Sequence, residues 1–354
     1  MAAGARVSET SEQGVAALPE PRGAVTEALL HALTGAPGPF SFPGSTTDDP
    51  LSDDDLHLAL YVCYELHYRG FAGVDDGWEW QPELLGLRGR LEREFEAALR
   101  DRFPVSEDGR DIVAALTRIS NQPGPPFSRY LREQITMEEL RDYLVHRSLY
   151  QLKEADPHAW AIPRMTGRPK AALMEVEFDE FGSGRADRIH AVLYRNSMDA
   201  LDLDSRYGAY LDAVPGSALA TVNITSMFGL HRRLRAAVVG QLATAEMTSA
   251  LANKSVADGM RRLGLGDSAT EFFDEHVIAD SVHDMIALHD LAGGLVAQDP
   301  AASPGVLFGA TAWTGLDALF ADRLLGCWER GEPTLRPGVS PTRADGAVPG
   351  RESG

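Results

Sequence analysis

Cysteine is nearly absent from this chain: Cys63 and Cys327 are the only two in 354 residues, which excludes a disulfide framework. Long hydrophobic runs are missing too. No apolar stretch nears the ~20 residues needed to span a bilayer, and the N-terminus lacks a cationic end followed by an apolar core, so no secretory signal is expected. A reducing cytoplasm is therefore the expected location, with no membrane partner. Basic residues are in deficit, 33 against 52 acidic ones for a net charge of −19. With no long basic run either, a nucleic-acid partner is not expected. There is no glycine-rich phosphate loop following a strand and no internal repeat, and Gly264-Leu265-Gly266 is too short for a dinucleotide fingerprint. What remains is ordinary in bulk: 44% hydrophobic and 24% charged residues, enough for a full core.

Residues 1–45, rich in Ala, Gly, Pro, Ser and Thr without sustained periodicity, read as a disordered leader. Order is expected from Ser52-Asp53-Asp54-Asp55, an acidic helix start followed by Leu56, Leu58, Leu60, Val62 and Leu66. A second helix spans Pro82 to Arg102, and a third runs through Ile112, Val113, Leu116 and Ile119. Together they make a helical N-terminal unit over 46–125, closed by the helix-breaking stretch Asn121 to Pro126. Beyond it, the pattern predicts helices over 136–154, 157–178, 185–200, 206–213, 216–222, 228–251, 255–263, 267–293 and 308–329. No convincing run of alternating strands appears, so the fold class is all-α. Residues 333–354 turn to Gly, Pro, Arg and Ser and read as a flexible tail.

The chemistry concentrates in one of these helices. His276, Asp280 and His283 stand at i, i+4 and i+7, which puts two imidazoles and a carboxylate on one helix face. Phe272, Phe273, Ala279, Ala287 and Leu291 project within roughly 60° of that face at ~100° per residue. Burying three such groups without partners costs several kcal/mol, and a divalent cation is the simplest partner. Further ligands should be isolated acids on apolar faces. Glu246 is the clearest, over Val239, Leu242, Ala243 and Ala250, with Arg232, Arg233 and Arg235 as alternative ion-pair partners. Glu180, Asp187 and His190 align if one helix continues through Gly182 and Gly184, which each weaken it by about 1 kcal/mol. Glu154 has little physical support alone, and Glu139 with His146 is a reserve pair. The remaining histidines, His158 among them, read as packing or surface residues.

The order Glu154, Glu180, His190, Glu246, His276-x-x-x-Asp280-x-x-His283 resembles the haem-oxygenase-like di-iron oxidases, and its spacing is similar to that of the N-oxygenating domains of nitrosourea-forming enzymes. The strings Glu177-Phe178-Asp179-Glu180-Phe181-Gly182 and His276-Val277-Ile278-Ala279-Asp280 are similar to those of iron-containing redox enzymes. The resemblance implies a haem-oxygenase-like helical bundle over 126–332, preceded by the smaller N-terminal unit. It implies that Glu154, His190 and His283 bind one iron and Glu180, His276 and Asp280 the other, with Glu246 bridging and Asp187 an extra ligand or an outer contact. The implied cofactors are two Fe(II)/Fe(III) ions, with O2 as co-substrate and an external reductant. The implied activity is oxidation of a small molecule, an amine or amino acid among the options, through a peroxo-diferric species: N-oxygenation, C–C cleavage or desaturation. Partners are then a small-molecule substrate and an electron donor, and the layout suits a homodimer through the N-terminal unit. The competing reading is a metal-free helical small-molecule-binding or thiaminase-like module, disfavoured because both cysteines lie outside the motif region.

Overall fold

A computed structural model describes residues 15–44, 47–106 and 109–337, apart from the side chains of 280–282. Among the described residues the regular structure is all helical, with no β-strand. Five helices come first: α1 (Ala24–Leu33), α2 (Asp54–Glu65), α3 (Pro82–Arg102), α4 (Ile112–Ser120) and α5 (Phe127–Glu133). There follow α6 (Met137–Gln151), the single turn α7 (Asp156–Ala159), α8 (Gly167–Glu180), α9 (His190–Ala200), α10 (Gly216–Leu230) and α11 (Arg235–Arg262). The last described helices are α12 (Asp267–Met285), a π-helical stretch (Ile286–Ala292), α13 (Gly293–Gln298) and α14 (Ser303–Arg330).

Local chemistry explains the starts. Asp53 accepts from the Leu56 amide at 2.7 Å to cap α2, Gln81 followed by Pro82 opens α3, and Thr136 with Glu139 forms a capping box on α6. Glu139 also accepts from the Tyr130 hydroxyl at 2.8 Å, while His146 is buried against Phe320, so this reserve pair is not a shared site.

α11 is the central element, packed against α12, α14, α5 and the π-helical stretch. Close approach of α14 depends on glycine: a Cβ at Gly240 would run into the Val306 carbonyl, and one at Gly309 into that of Ala237. One buried apolar cluster reaches from Val25 to Leu325, so the 46–125 helices share the core of the rest.

Four expectations need correcting. The 1–45 segment is not wholly a disordered leader: Val25, Leu29, Leu30 and Leu33 make a helical stripe that buries α1 on α2, and Asp55 accepts from the Val25 and Thr26 amides at its start. The flexible tail does not begin at 333, because Thr334 donates to Asp142 at 2.8 Å and Arg336 to Asp54 at 2.7 Å. Residues 206–213 form turns instead of a helix, with Gly208 at φ +74° and Tyr207 and Tyr210 buried. The segments expected over 228–251 and 255–263 are mostly one helix, α11, starting at Arg235, because the polar residues between them lie on its outer side.

Candidate metal centre

α8, α9, α11, α12 and the turn after α6 bring six of the expected side chains together. Glu154 follows the end of α6, Glu180 is the last residue of α8, and His190 is the first of α9. Glu246 lies mid-way along α11, and His276 and His283 project from α12. All but the part-exposed Glu154 are buried. Two groups of donor atoms result, each lying within 4.8 Å of one another: Glu154, Glu180, His190 and His276, then Glu180, Glu246 and His283. Glu180 is common to both. This grouping departs from the one the resemblance implies, where Glu246 bridges and His283 joins Glu154 and His190. Asp280 lies in α12, but its side chain is outside the described residues.

The route from Glu180 to His190 also differs from the expectation. α8 stops at Glu180, and Gly182, Ser183 and Gly184 take φ of +77°, +53° and +81°, a left-handed corner that no continuous helix survives. A Cβ at Gly182 would strike the Ile189 amide and the Arg188 carbonyl. The corner reverses the chain so that Glu180 Oε2 and His190 Nδ1 end 2.8 Å apart, and Arg188 pins it to α12 through Glu271 and Glu275. Asp187 is turned out of the site: its side chain is exposed and accepts from Arg185 at 2.9 Å. It lies outside both donor groups. Two of the arginines near Glu246 are likewise engaged elsewhere, Arg233 with Glu96 at 2.6 Å and Arg235 with Asp299 at 3.0 Å.

Orientation of the imidazoles comes from their second nitrogens. His276 Nδ1–H donates to the Phe272 carbonyl at 2.9 Å, which leaves Nε2 with its lone pair 3.5 Å from Glu154 Oε2. His283 Nε2 donates to Asp179 Oδ2 at 3.0 Å, and its Nδ1 faces Glu246 Oε2 at 3.6 Å. Such carboxylate or carbonyl contacts set the tautomer of a metal-binding histidine. Asp179, held in turn by the Ser183 hydroxyl at 2.6 Å, was not singled out from the sequence, although its place beside Glu180 is a signal.

The electrostatics are those of acids and imidazoles packed together out of water. Burial, then the neighbouring Glu154, pushes the Glu180 carboxyl up to about 8. Burial, then His276, pushes His190 down to about 4. Burial pulls His283 down as well, but Glu246 and Asp179 on its two sides outweigh it and hold the ring up at about 9. Glu180 Oε2 and His190 Nδ1, for all their proximity, are misaligned and share no hydrogen bond, and Glu246 Oε2 and His283 Nδ1 have none either. Buried polar atoms without protein partners fit a site that holds an ion between them. A cavity of about 360 Å³ opens onto this cluster, lined by Asp179, His190, Glu275, Ile278, Ala279 and His283 among others.

The sequence profile of a family described as iron-containing redox enzymes matches residues 141–318, just over half of the chain. The chain belongs to that family. All the expected donor positions, Glu154 to His283, fall inside the matched span of this iron-containing redox enzyme. Among solved structures, the chain is similar to a domain of unknown function with a heme oxygenase-like fold from Shewanella denitrificans OS217. The likeness has 14% identity and a TM-score of 0.48, covering 66% of this chain and 96% of that one. No protein of curated function matches.

Proposed function

We propose that this iron-containing redox enzyme is an O2-activating, non-haem di-iron oxidoreductase acting on a small molecule, an amine or amino acid being the class implied by its motif. The observation that supports it is the pair of adjoining donor groups with Glu180 in common. The donors are carboxylate oxygens and imidazole nitrogens only, a set suited to Fe(II). Thiolate is no competitor: Cys63 is buried, which pushes its thiol up to about 12. Glu154, His190 and His276 would hold one ion, Glu246 and His283 the other, and Glu180 would reach both. Two ferrous ions held there would supply electrons and open positions to O2.

The chain's own residues do the rest. Phe272 and Asp179 fix the imidazole tautomers, and the Gly182–Gly184 corner holds Glu180 against His190. The cavity admits a substrate to the His190 and His283 side of the cluster, while the buried apolar face of α12, with Phe272 and Phe273, keeps bulk water off the other. Reducing equivalents come from an external donor. The test is anaerobic Fe(II) titration of metal-free protein, followed by Mössbauer spectroscopy before and after O2. About two ferrous ions per chain, both oxidised by O2, are expected. Failure to bind stoichiometric iron would return the chain to the metal-free binding module.

A further inference from the structure

A second buried polar cluster lies beside the donor residues and is used by none of them. Glu177, three residues before Glu180 on α8, is 1% exposed, and neither of its carboxylate oxygens has a hydrogen-bond partner. His158 of α7 presents Nδ1 to Glu177 Oε1 at 3.7 Å. Its other nitrogen, Nε2, donates to Gln241 Oε1 of α11 at 2.8 Å, so the hydrogen is on Nε2 and Nδ1 carries a lone pair. An ionised Glu177 would thus face a lone pair in a dry interior, an arrangement costing several kcal/mol. The charges that act on Glu177 most strongly are negative. They are Glu180 on its own helix, Glu246 on α11, and Glu154 and Asp156 before and in α7, all acids. Among the described residues neither Glu177 nor His158 belongs to a donor group that could hold a metal. The cation that fits a two-residue gap is a proton.

We propose that Glu177 is kept as a neutral acid whose O–H is donated to His158 Nδ1, and that this acid–imidazole pair, backed by Gln241, stores a proton for the chemistry at the adjoining metal centre. A hydrogen bond across the gap needs it to close to about 2.7 Å. Burial, then the surrounding carboxylates, raises Glu177 far above the usual range, and burial lowers His158, which agrees with a neutral pair. In use, the Glu177 O–H bond breaks, its electron pair stays on the carboxylate, and the proton goes to an oxygen atom of O2 as it is reduced by electrons that bound ferrous ions would supply and the external reductant would restore. Solvent then restores the proton. Storage stands on the geometry alone, whereas use rests on the di-iron reading.

Infrared spectra of the parent protein in H2O and D2O, compared with Glu177→Gln, test storage. A carbonyl stretch of an un-ionised carboxylic acid, sensitive to D2O and lost in Glu177→Gln while any Glu180 band remains in both, is expected at neutral pH, and a parent-minus-variant difference spectrum without it overturns the proposal. Use is tested by iron content and by the rate at which O2 oxidises the bound iron. Glu177→Gln should keep the parent's iron and slow oxidation by about 10²-fold, with partial recovery in Glu177→Asp. An unchanged rate with full iron overturns the proposal, as does loss of iron, which would make Glu177 a ligand. A parent that binds no iron defeats the di-iron reading, and the infrared band still decides whether Glu177 is protonated.

Discussion

Glu180 is the side chain on which both donor groups depend, and its removal has a distinctive consequence. Glu180→Ala leaves one group with Glu154, His190 and His276 and the other with only Glu246 and His283, so iron per chain should drop from about two to one or fewer. Asp187→Ala, outside the site, should retain the full complement. Equal iron in both variants, measured by colorimetric assay after desalting, would remove Glu180 from the site. Binding must also displace a proton from Glu180 below pH about 8 and from His283 below about 9. The apparent iron affinity should therefore climb as pH rises from 6.5 and level off above 9, with protons released on binding. A pH-independent affinity in competition titrations would contradict it. His276, His283 and Glu246 were legible in the sequence because each interrupts an apolar helical face, a pattern that survives without knowing the fold. Asp187 misled because counting along a helix assumes the helix continues, and the reversal at Gly182 to Gly184 depends on tertiary contacts with Ile189 and Arg188. Glu177 was missed although Leu173, Val176 and Glu180 share its buried side of α8: an acid next to a stronger candidate was absorbed into it.

Among the elements, α11 and α14 set the spacing of the core around the site. Their contact passes through Gly240 and Gly309, each facing a carbonyl of the other helix. Gly309→Ala forces the helices apart and should cost about 1–3 kcal/mol, read from the urea midpoint. Because α11 carries Glu246, iron binding should weaken with it. Gly86→Ala in α3, where an added Cβ meets nothing within 4 Å, should instead stabilise by about 0.5–1 kcal/mol. A Gly309→Ala variant as stable as the parent would mean that the contact adjusts freely. α3 was predictable to the residue, since a capping Gln81, Pro82 and a clean apolar stripe all act locally. α1 was not, because the glycines and prolines flanking it dilute the composition while Val25, Leu29 and Leu33 keep helical spacing. What makes that helix stable is α2 beneath it, a partner no local pattern reveals.

At the scale of the whole molecule, several histidines are held neutral in one continuous core, and their collective titration sets the acid limit of the fold. Burial lowers His57 to about 4 and His146 to about 3. A depressed imidazole gives stability that is complete above the unfolded value of about 6.5 and is lost as pH falls through the folded value, because the unfolded chain then binds the extra protons. For His57 alone the loss is on the order of 3 kcal/mol. The buried imidazoles should thus lower the melting temperature of the metal-free protein as pH falls from 6.5 to 4, while Glu180 and His283, held protonated up to about 8 and about 9, lower it as pH rises towards those values. His146 separates this cause from general acid denaturation, since neither of its ring nitrogens has a hydrogen-bond partner and its ring lies edge-on to Phe320. His146→Leu keeps the packing, removes an unsatisfied polar group and deletes one titration. It should leave stability at pH 7.5 equal or higher and shift the acid unfolding midpoint downward, both read by circular dichroism. A variant whose acid midpoint is unchanged would show that carboxylate protonation, and not the buried imidazoles, brings the fold down.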